Sequence, residues 1–488
     1  MTAAALPLVI QGGMGVGVSN WTLARAVSRA GQLGVVSGTA VDAVFVRRLQ
    51  EGDVCGSIRR ALSHFPLPEV AADIIAKFHR PEGMPAGVPY KALPMYRQAV
   101  SAMREQITMA ANFVEVWLAK EGHDGIVGIN LLTKIQMPNL ASLYGAMLAG
   151  VDYVLMGAGI PREIPGALDA LSEGREASIK LDVEGALAGE THLLTFDPAR
   201  HFPARPQLKR PKFLAIVSAN SLAMSLARKA NGKVDGFVVE GWTAGGHNAP
   251  PRGELKLNEV GEPIYGDRDT VDLAKLAELG LPYWIAGGVS SPGGLAAARA
   301  AGAAGVQVGT LFAFSNESGI LPHLKKQVLE GVTTRHSTVF TDPTASPTGF
   351  PFKVVRLDGL EQQDDRRPRN CDLGYLRSAY RREDGRLDYR CAAEPVDTYI
   401  KKGGTAGEAA GRRCLCNGLV ATIGHGQRRD DEYVEPPLLT SGDELAVMQC
   451  FLKGRDHYSA TDVIDYLLSD APVGELPAAV TSEAQAAR

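Results

Sequence analysis

Short apolar runs that end in glycine or a polar residue recur along the first two-thirds of the chain, separated by alanine- and leucine-rich stretches. Eight of these runs, at residues 8–11, 33–37, 126–130, 153–157, 213–218, 236–240, 283–286 and 305–308, predict strands. Between them, residues 20–30, 139–148, 222–230, 270–279 and 295–301 predict helices. Strand followed by helix, repeated, reads as a parallel sheet. The runs show little polar alternation, so each strand is expected to be buried on both faces. Eight such strands favour a closed (β/α)8 TIM barrel of the α/β class over an open sheet.

Two stretches interrupt the repeat within a barrel domain expected over residues 1–335. Residues 40–122 predict a largely helical insertion with a long amphipathic helix at 91–120, and residues 177–211 predict a hairpin insertion formed by 178–183 and 191–196. After about Thr333 proline, arginine, glycine and cysteine dominate, marking a C-terminal extension over 336–470. Inside it, residues 338–350 read as a connecting loop or as a lid over the barrel rim, and Ser441-x-x-Glu444 reads as a capping box opening a short helix. Residues 471–488, rich in Ala, Pro and Glu, are expected to be disordered.

The segment from Val238 to Gly253 stands out, because its β-branched run breaks at Gly245, Gly246 and His247. That pattern sets a titratable ring just past the carboxyl end of a buried strand, which is the rim where parallel α/β proteins carry out chemistry. Histidine titrates near neutrality and suits removal or donation of a proton at carbon. Downstream, Ala286-Gly287-Gly288 and Val308-Gly309-Thr310 also end apolar runs in glycine. Each alone is an ordinary tight turn. Together, after the last two strands of a barrel, they predict a phosphate cradle made of backbone N–H groups.

Lysine plus arginine (51) nearly balances aspartate plus glutamate (54), which argues against a nucleic-acid-binding surface. The start lacks a basic region followed by an apolar one, and no apolar stretch approaches the ~18 residues of a membrane span. A cytoplasmic protein that does not enter membranes is expected.

The pieces Ile10-Gln-Gly-Gly-Met14, Gly245-Gly-His247, Ala286-Gly-Gly288 and Val306-Gln-Val-Gly-Thr310 resemble the nitronate monooxygenase (2-nitropropane dioxygenase) superfamily over residues 5–350. These are FMN-dependent TIM barrels, and the group includes flavin-dependent enoyl reductases and NADH:quinone reductases. The resemblance implies that Gly13, Met14 and Asn130 meet the flavin ring, that Gly287, Gly288, Gly309 and Thr310 hold its phosphate, and that Gly245 and Gly246 complete the cofactor site. His247 would face a small-molecule substrate. The expected activity is an FMN oxidoreductase acting on a nitronate or similar small carbon acid with O₂. Two alternatives are an NAD(P)H-dependent enoyl or quinone reductase and a flavin or metal electron-relay subunit with a protein redox partner. The long insertions and the 488-residue length resemble the reductase of polyunsaturated fatty-acid synthesis more than a compact nitronate oxidase, and the expected partners include a second copy of the chain or a protein redox partner.

Cys371, Cys391, Cys414 and Cys416 fall within 46 residues in the spacing C-x19-C-x22-C-x-C. A disulfide framework is not expected in a chain without a secretion signal. Four thiolates in a loop-rich segment predict an iron–sulfur cluster or a Zn site.

Overall fold

The computed structural model of the chain describes residues 6–357, 367–429 and 433–480. Eight parallel strands form its centre: β1 (Val9–Gln11), β2 (Gly34–Ser37), β3 (Val127–Leu132), β4 (Tyr153–Gly157), β5 (Lys212–Val217), β6 (Gly236–Glu240), β7 (Tyr283–Ala286) and β8 (Gly305–Val308). They pair in the order β1-β8-β7-β6-β5-β4-β3-β2. A parallel bridge between Ile10 and Leu33 joins the two ends, with Gln11 N donating to Leu33 O at 2.9 Å and Leu33 N to Val9 O at 3.1 Å. The sheet therefore closes, and all eight predicted strands are its staves.

Burial on both faces explains the unbroken apolar runs. Ile10, Val35, Leu155, Leu214, Val238 and Trp284 fill the barrel interior. The Trp284 indole N–H, buried with them, donates to Pro7 O at 2.8 Å, so no polar group is stranded. The opposite strand faces pack under helices whose starts are set by their caps. Asn20 accepts from Leu23 N ahead of Trp21–Arg29, and Ser291 accepts from Gly294 N ahead of Pro292–Ala300, with proline at the first helical turn.

Between β2 and β3 the chain is helical, as expected, but the long helix starts at Ala102 and ends at Lys120. Residues 91–101 run without helix because their backbone is tied elsewhere. Lys91 N donates to Gln50 Oε1 at 2.7 Å, Pro94 O accepts from Arg104 Nε at 2.9 Å, and Ser101 caps the helix. The helix is buried on most of its circumference rather than amphipathic. Its Arg104 reaches Asp42 at 2.6 Å, both side chains 4% exposed or less. Asp42 also accepts from Tyr375 of the C-terminal extension. Burial alone would raise the Asp42 carboxyl, but Arg104 and the hydrogen bonds hold it below the ordinary range.

The hairpin insertion forms from Ala177–Lys180 and Leu193–Phe196. Val183–Glu184 leaves it to pair with Ser378–Arg381 of the extension. Two expectations are corrected. Ser441 and Glu444 make no capping box: Gly442 caps the 3-10 turn Asp443–Val447, while Glu444 Oε1 accepts from Ser290 N at 2.6 Å. Residues 471–480 are not disordered. Val480 is fully buried, Ala479 O accepts from Val271 N and Gly474 N donates to Gly293 O, each at 3.0 Å. The segment settles because rim glycines leave it space; a Cβ on Gly241 would lie 2.4 Å from Ala479 Cβ. Residues 481–488 lie outside the described residues.

The Asp42–Arg104 pair joins insertion, long helix and extension in one buried contact. Arg104→Met should cost about 3–5 kcal/mol in urea unfolding, because it leaves a buried carboxylate without its cation. Adding Asp42→Asn should return part of that loss. A single-variant loss below about 1 kcal/mol would show the pair to be dispensable.

Candidate active site

The carboxyl ends of the strands open into a cavity of about 220 Å³. Gly13, Met14, Asn130, Gly245, Gly246, His247, Gly287, Gly309 and Thr310 all line it. The turn after β1 is fixed by Ser19, whose Oγ donates to Gly12 O and accepts from Met14 N, each at 2.9 Å. Gly13 must be glycine here, since a Cβ would stand 2.1 Å from Asn130 Cβ. Thr243 Oγ1 and Gln307 Oε1 are buried without a hydrogen-bond partner, and both residues line the same cavity. Buried polar atoms rarely stay unpaired, so these two mark where a polar ligand is received.

His247 sits at the rim beyond β6. Its Nε2 lies 2.7 Å from Ser346 Oγ, and its ring meets Phe352 edge-on at 4.7 Å. Ser346 and Phe352 belong to the extension, which is strapped to the histidine turn by backbone bonds. Asn248 N donates to Pro351 O at 3.0 Å and Lys353 N to Gly246 O at 2.9 Å. Residues 338–350 thus lie against the chemistry-bearing turn as a cover. Burial, with a smaller contribution from the positive Lys134, pushes the imidazole well below its ordinary pKa. Its neutral form therefore prevails across the physiological range.

Two ionisable groups near His247 escaped sequence reasoning. Lys134, in the loop after β3, is lowered to about 7 by burial against a smaller opposing pull from Glu240. Glu240, the last residue of β6, is raised to about 7 by burial, with Lys134 opposing. A second cavity of about 230 Å³ shares Ala158, Ile216, Glu240 and His247 with the first. Its wall carries Arg252 and Trp242 stacked on Tyr265 at 5.1 Å. His247 is thus reached from two sides.

The glycine turns after β7 and β8 come together at one end of the main cavity, but not as an empty cradle. Gly287 and Gly288 adopt positive φ, 85° and 80°, conformations that favour glycine. The N–H groups of Gly288 and Ser290 are directed at the Glu444 carboxylate. Thr310 Oγ1 accepts from Gly442 N at 3.1 Å. Burial raises the Glu444 carboxyl against the bonds from Gly288 and Ser290, and the extension thus brings its own acidic group to the place expected for a phosphate. Gly309 remains open, with Met14 Sδ at 3.8 Å as the nearest atom to a Cβ there.

The four C-terminal cysteines gather in one region, where Cys391, Cys414 and Cys416 each feel Cys371. Among the described residues no group of three or more His, Cys, Asp or Glu side chains is placed to hold a metal ion, so the expectation of iron–sulfur or Zn is not met. Burial pushes the Cys416 thiol up to about 12 and raises Cys371, Cys391 and Cys414 as well. Cys416 lines the main cavity.

Residues 171–364 match the family model for nitronate monooxygenase. The chain is 34% identical over 163 residues to a probable nitronate monooxygenase of Staphylococcus haemolyticus, covering 33% of this chain and 43% of that protein. It is 31% identical over 149 residues to (3aS,4S,5R,7aS)-5-hydroxy-7a-methyl-1-oxo-octahydro-1H-indene-4-carboxyl-CoA dehydrogenase of Mycobacterium tuberculosis, covering 30% and 37%. The matches thus span about two-fifths of these curated relatives. Among solved structures, FabK from Thermotoga maritima aligns over 95% of this chain and 92% of its own at 17% identity and TM-score 0.47. Nitroalkane oxidase from Streptomyces ansochromogenes aligns over 95% and 94% at 16% identity and TM-score 0.43. Over residues 171–364 the chain is thus similar to the nitronate monooxygenase family.

Proposed function

We propose that the chain is an FMN-dependent oxidoreductase of small carbon acids, in which His247 deprotonates a neutral acid such as a nitroalkane, while its nitronate is oxidised directly. The observation that carries this reading is the neutral imidazole at the wall of a cavity lined by the rim glycines. FMN fits the residues present: Thr243 Oγ1 is an unpaired hydroxyl and Gln307 Oε1 an unpaired acceptor in that cavity, and Gly309 is open. Gly13, Met14 and Asn130 would meet its ring, and Gly287, Gly309 and Thr310 its phosphate end. When bound, FMN supplies the two-electron chemistry, with O₂ as the final acceptor.

The protein's own part is proton handling and exclusion of water. His247, neutral at physiological pH, accepts the proton of the carbon adjacent to the electron-withdrawing group. Residues 338–350 cover the turn and keep bulk water from the carbanion. The second cavity, which meets the first at His247, gives a substrate a route to the ring without crossing the cofactor. That cavity also favours a second reading, an NAD(P)H-dependent enoyl or quinone reductase, in which a longer substrate reaches His247 from this side and takes a proton from it. The Mycobacterium relative is named as a carboxyl-CoA dehydrogenase, which supports a substrate of that length.

Gly309→Val should fold normally, having space for its side chain, yet purify without the non-covalent FMN expected in the wild type; unchanged FMN content would remove the turn after β8 from the site. Glu444→Gln should tighten FMN binding by about tenfold in fluorescence titrations. A carboxylate a few ångströms from a phosphate repels it by about 1–4 kcal/mol in a partly screened setting, so equal or weaker affinity would mean that the phosphate lies elsewhere.

His247→Asn should keep FMN but lower turnover by about 10² or more. Because the folded pKa is depressed, protonation of the imidazole ring itself should not limit wild-type turnover until pH drops through the lowered value, well below 6.5. Full activity in the variant would assign the proton step to another group.

A further inference from the structure

One chain of side chains leads away from His247. Its Nε2 is 2.7 Å from Ser346 Oγ, Ser346 Oγ is 2.8 Å from Thr348 Oγ1, and Lys134 Nζ is 3.4 Å from Thr348 Oγ1. Three separate segments supply these four groups: the turn after β6, the cover over it and the loop after β3. Side chains usually bond to backbone or water, so three consecutive side-chain links are uncommon. His247 Nδ1 has no hydrogen-bond partner among the described residues. One ring nitrogen is thus committed to the chain of hydroxyls, and the other is left for a substrate.

Lys134 forms no ion pair within 4 Å among the described residues. Its ammonium lies 4.4 Å from the centre of the Phe350 ring. Among the described residues, Glu240 is the one charged group acting on it, and Lys134 is the one charged group acting on both Glu240 and His247. These three residues form a closed electrostatic set. An ammonium held by an aromatic face and a single hydroxyl gives up its proton more readily than one in a salt bridge.

Building on the carbon-acid reading above, we propose that Lys134 is the proton reservoir of His247, joined to it by Ser346 and Thr348. When His247 takes a proton at Nδ1, the Nε2 proton passes to Ser346 Oγ, the Ser346 proton to Thr348 Oγ1, and the Thr348 proton to the free amine of Lys134. Each oxygen gains one O–H bond and loses one, so neither hydroxyl carries charge. The positive charge ends on Lys134 beside Glu240, and His247 is left neutral. Run in reverse, the same chain supplies a proton to the cavity. Lys134 acts here through His247, as a positioning and proton-storing residue.

The relay makes the tautomer of His247 depend on the charge of Lys134. With Lys134 protonated, the hydroxyls point toward the ring and Nε2 accepts, so the proton is on Nδ1. With Lys134 neutral, the hydroxyls can reverse and the proton moves to Nε2. The test is side-chain ¹⁵N NMR of the full-length, histidine-labelled, FMN-bound protein between pH 5.5 and 9, with the His247 signals identified by their loss in His247→Asn. The expected result is a switch from the Nδ1–H to the Nε2–H tautomer within this range. Both Lys134→Met and Thr348→Val should abolish it, the latter while keeping the lysine charge. A single tautomer throughout in the wild type, or a switch that survives either substitution, overturns the relay. The readout needs no substrate, so it is decided separately from the reading of the reaction. If nitroalkanes prove to be substrates, Thr348→Val should slow the neutral nitroalkane and spare its nitronate, which has no proton left to give.

Discussion

The backbone pairing of residues 246–248 with 351–353 is the constraint on which the site depends. It consists of an antiparallel bridge between His247 and Phe352, with Asn248 N on Pro351 O and Lys353 N on Gly246 O, reinforced by Gly246 N on Thr440 Oγ1 at 3.0 Å. Buried main-chain groups must be paired, and here the barrel rim and the C-terminal extension satisfy one another. The extension is therefore part of the active-site wall and not an appendage. It fixes Ser346 against the imidazole, sets Phe352 at the ring edge and carries Glu444 to the glycine turn after β7.

The electrostatic character of the cavity follows from that closure. Covering the rim takes His247, Lys134 and Glu240 out of water, and each shifts toward its neutral form. Lysine and glutamate arrive at about the same pKa from opposite directions. A proton between them is then held weakly near neutral pH, which is the condition under which acid and base roles are easily exchanged. Histidine stays neutral in the same field.

Much of this was legible from the chain. The eight strands stand out because each is buried on both faces and carries no polar alternation, and the rim turns stand out because Gly245, Gly246, Gly287, Gly288 and Gly309 interrupt those runs. Glu240 was within reach, since a carboxylate closing an apolar run lies on the same rim as His247. Other features depend on tertiary packing with no local signature. Lys134 belongs to an unremarkable loop, and its environment comes from Phe350 and Thr348, more than 200 positions away. Ser441 and Glu444 have the spacing of a capping box, but a neighbouring turn with free N–H groups claims the carboxylate. The cysteines are closely spaced and do gather, but sequence spacing says nothing of the apolar packing that keeps them protonated. Residues 471–480 look like an Ala- and Pro-rich tail by composition, although Ala479 and Val480 are buried against the rim.

The central claim is that one rim cavity brings a flavin and the neutral His247 to the same small carbon acid. Anaerobic titration of the purified, FMN-containing protein with a nitronate, followed in the visible spectrum, tests it most directly. The account predicts stoichiometric bleaching of the flavin bands and their return on admitting O₂. A spectrum unchanged by nitronate, NADH and NADPH alike would contradict it.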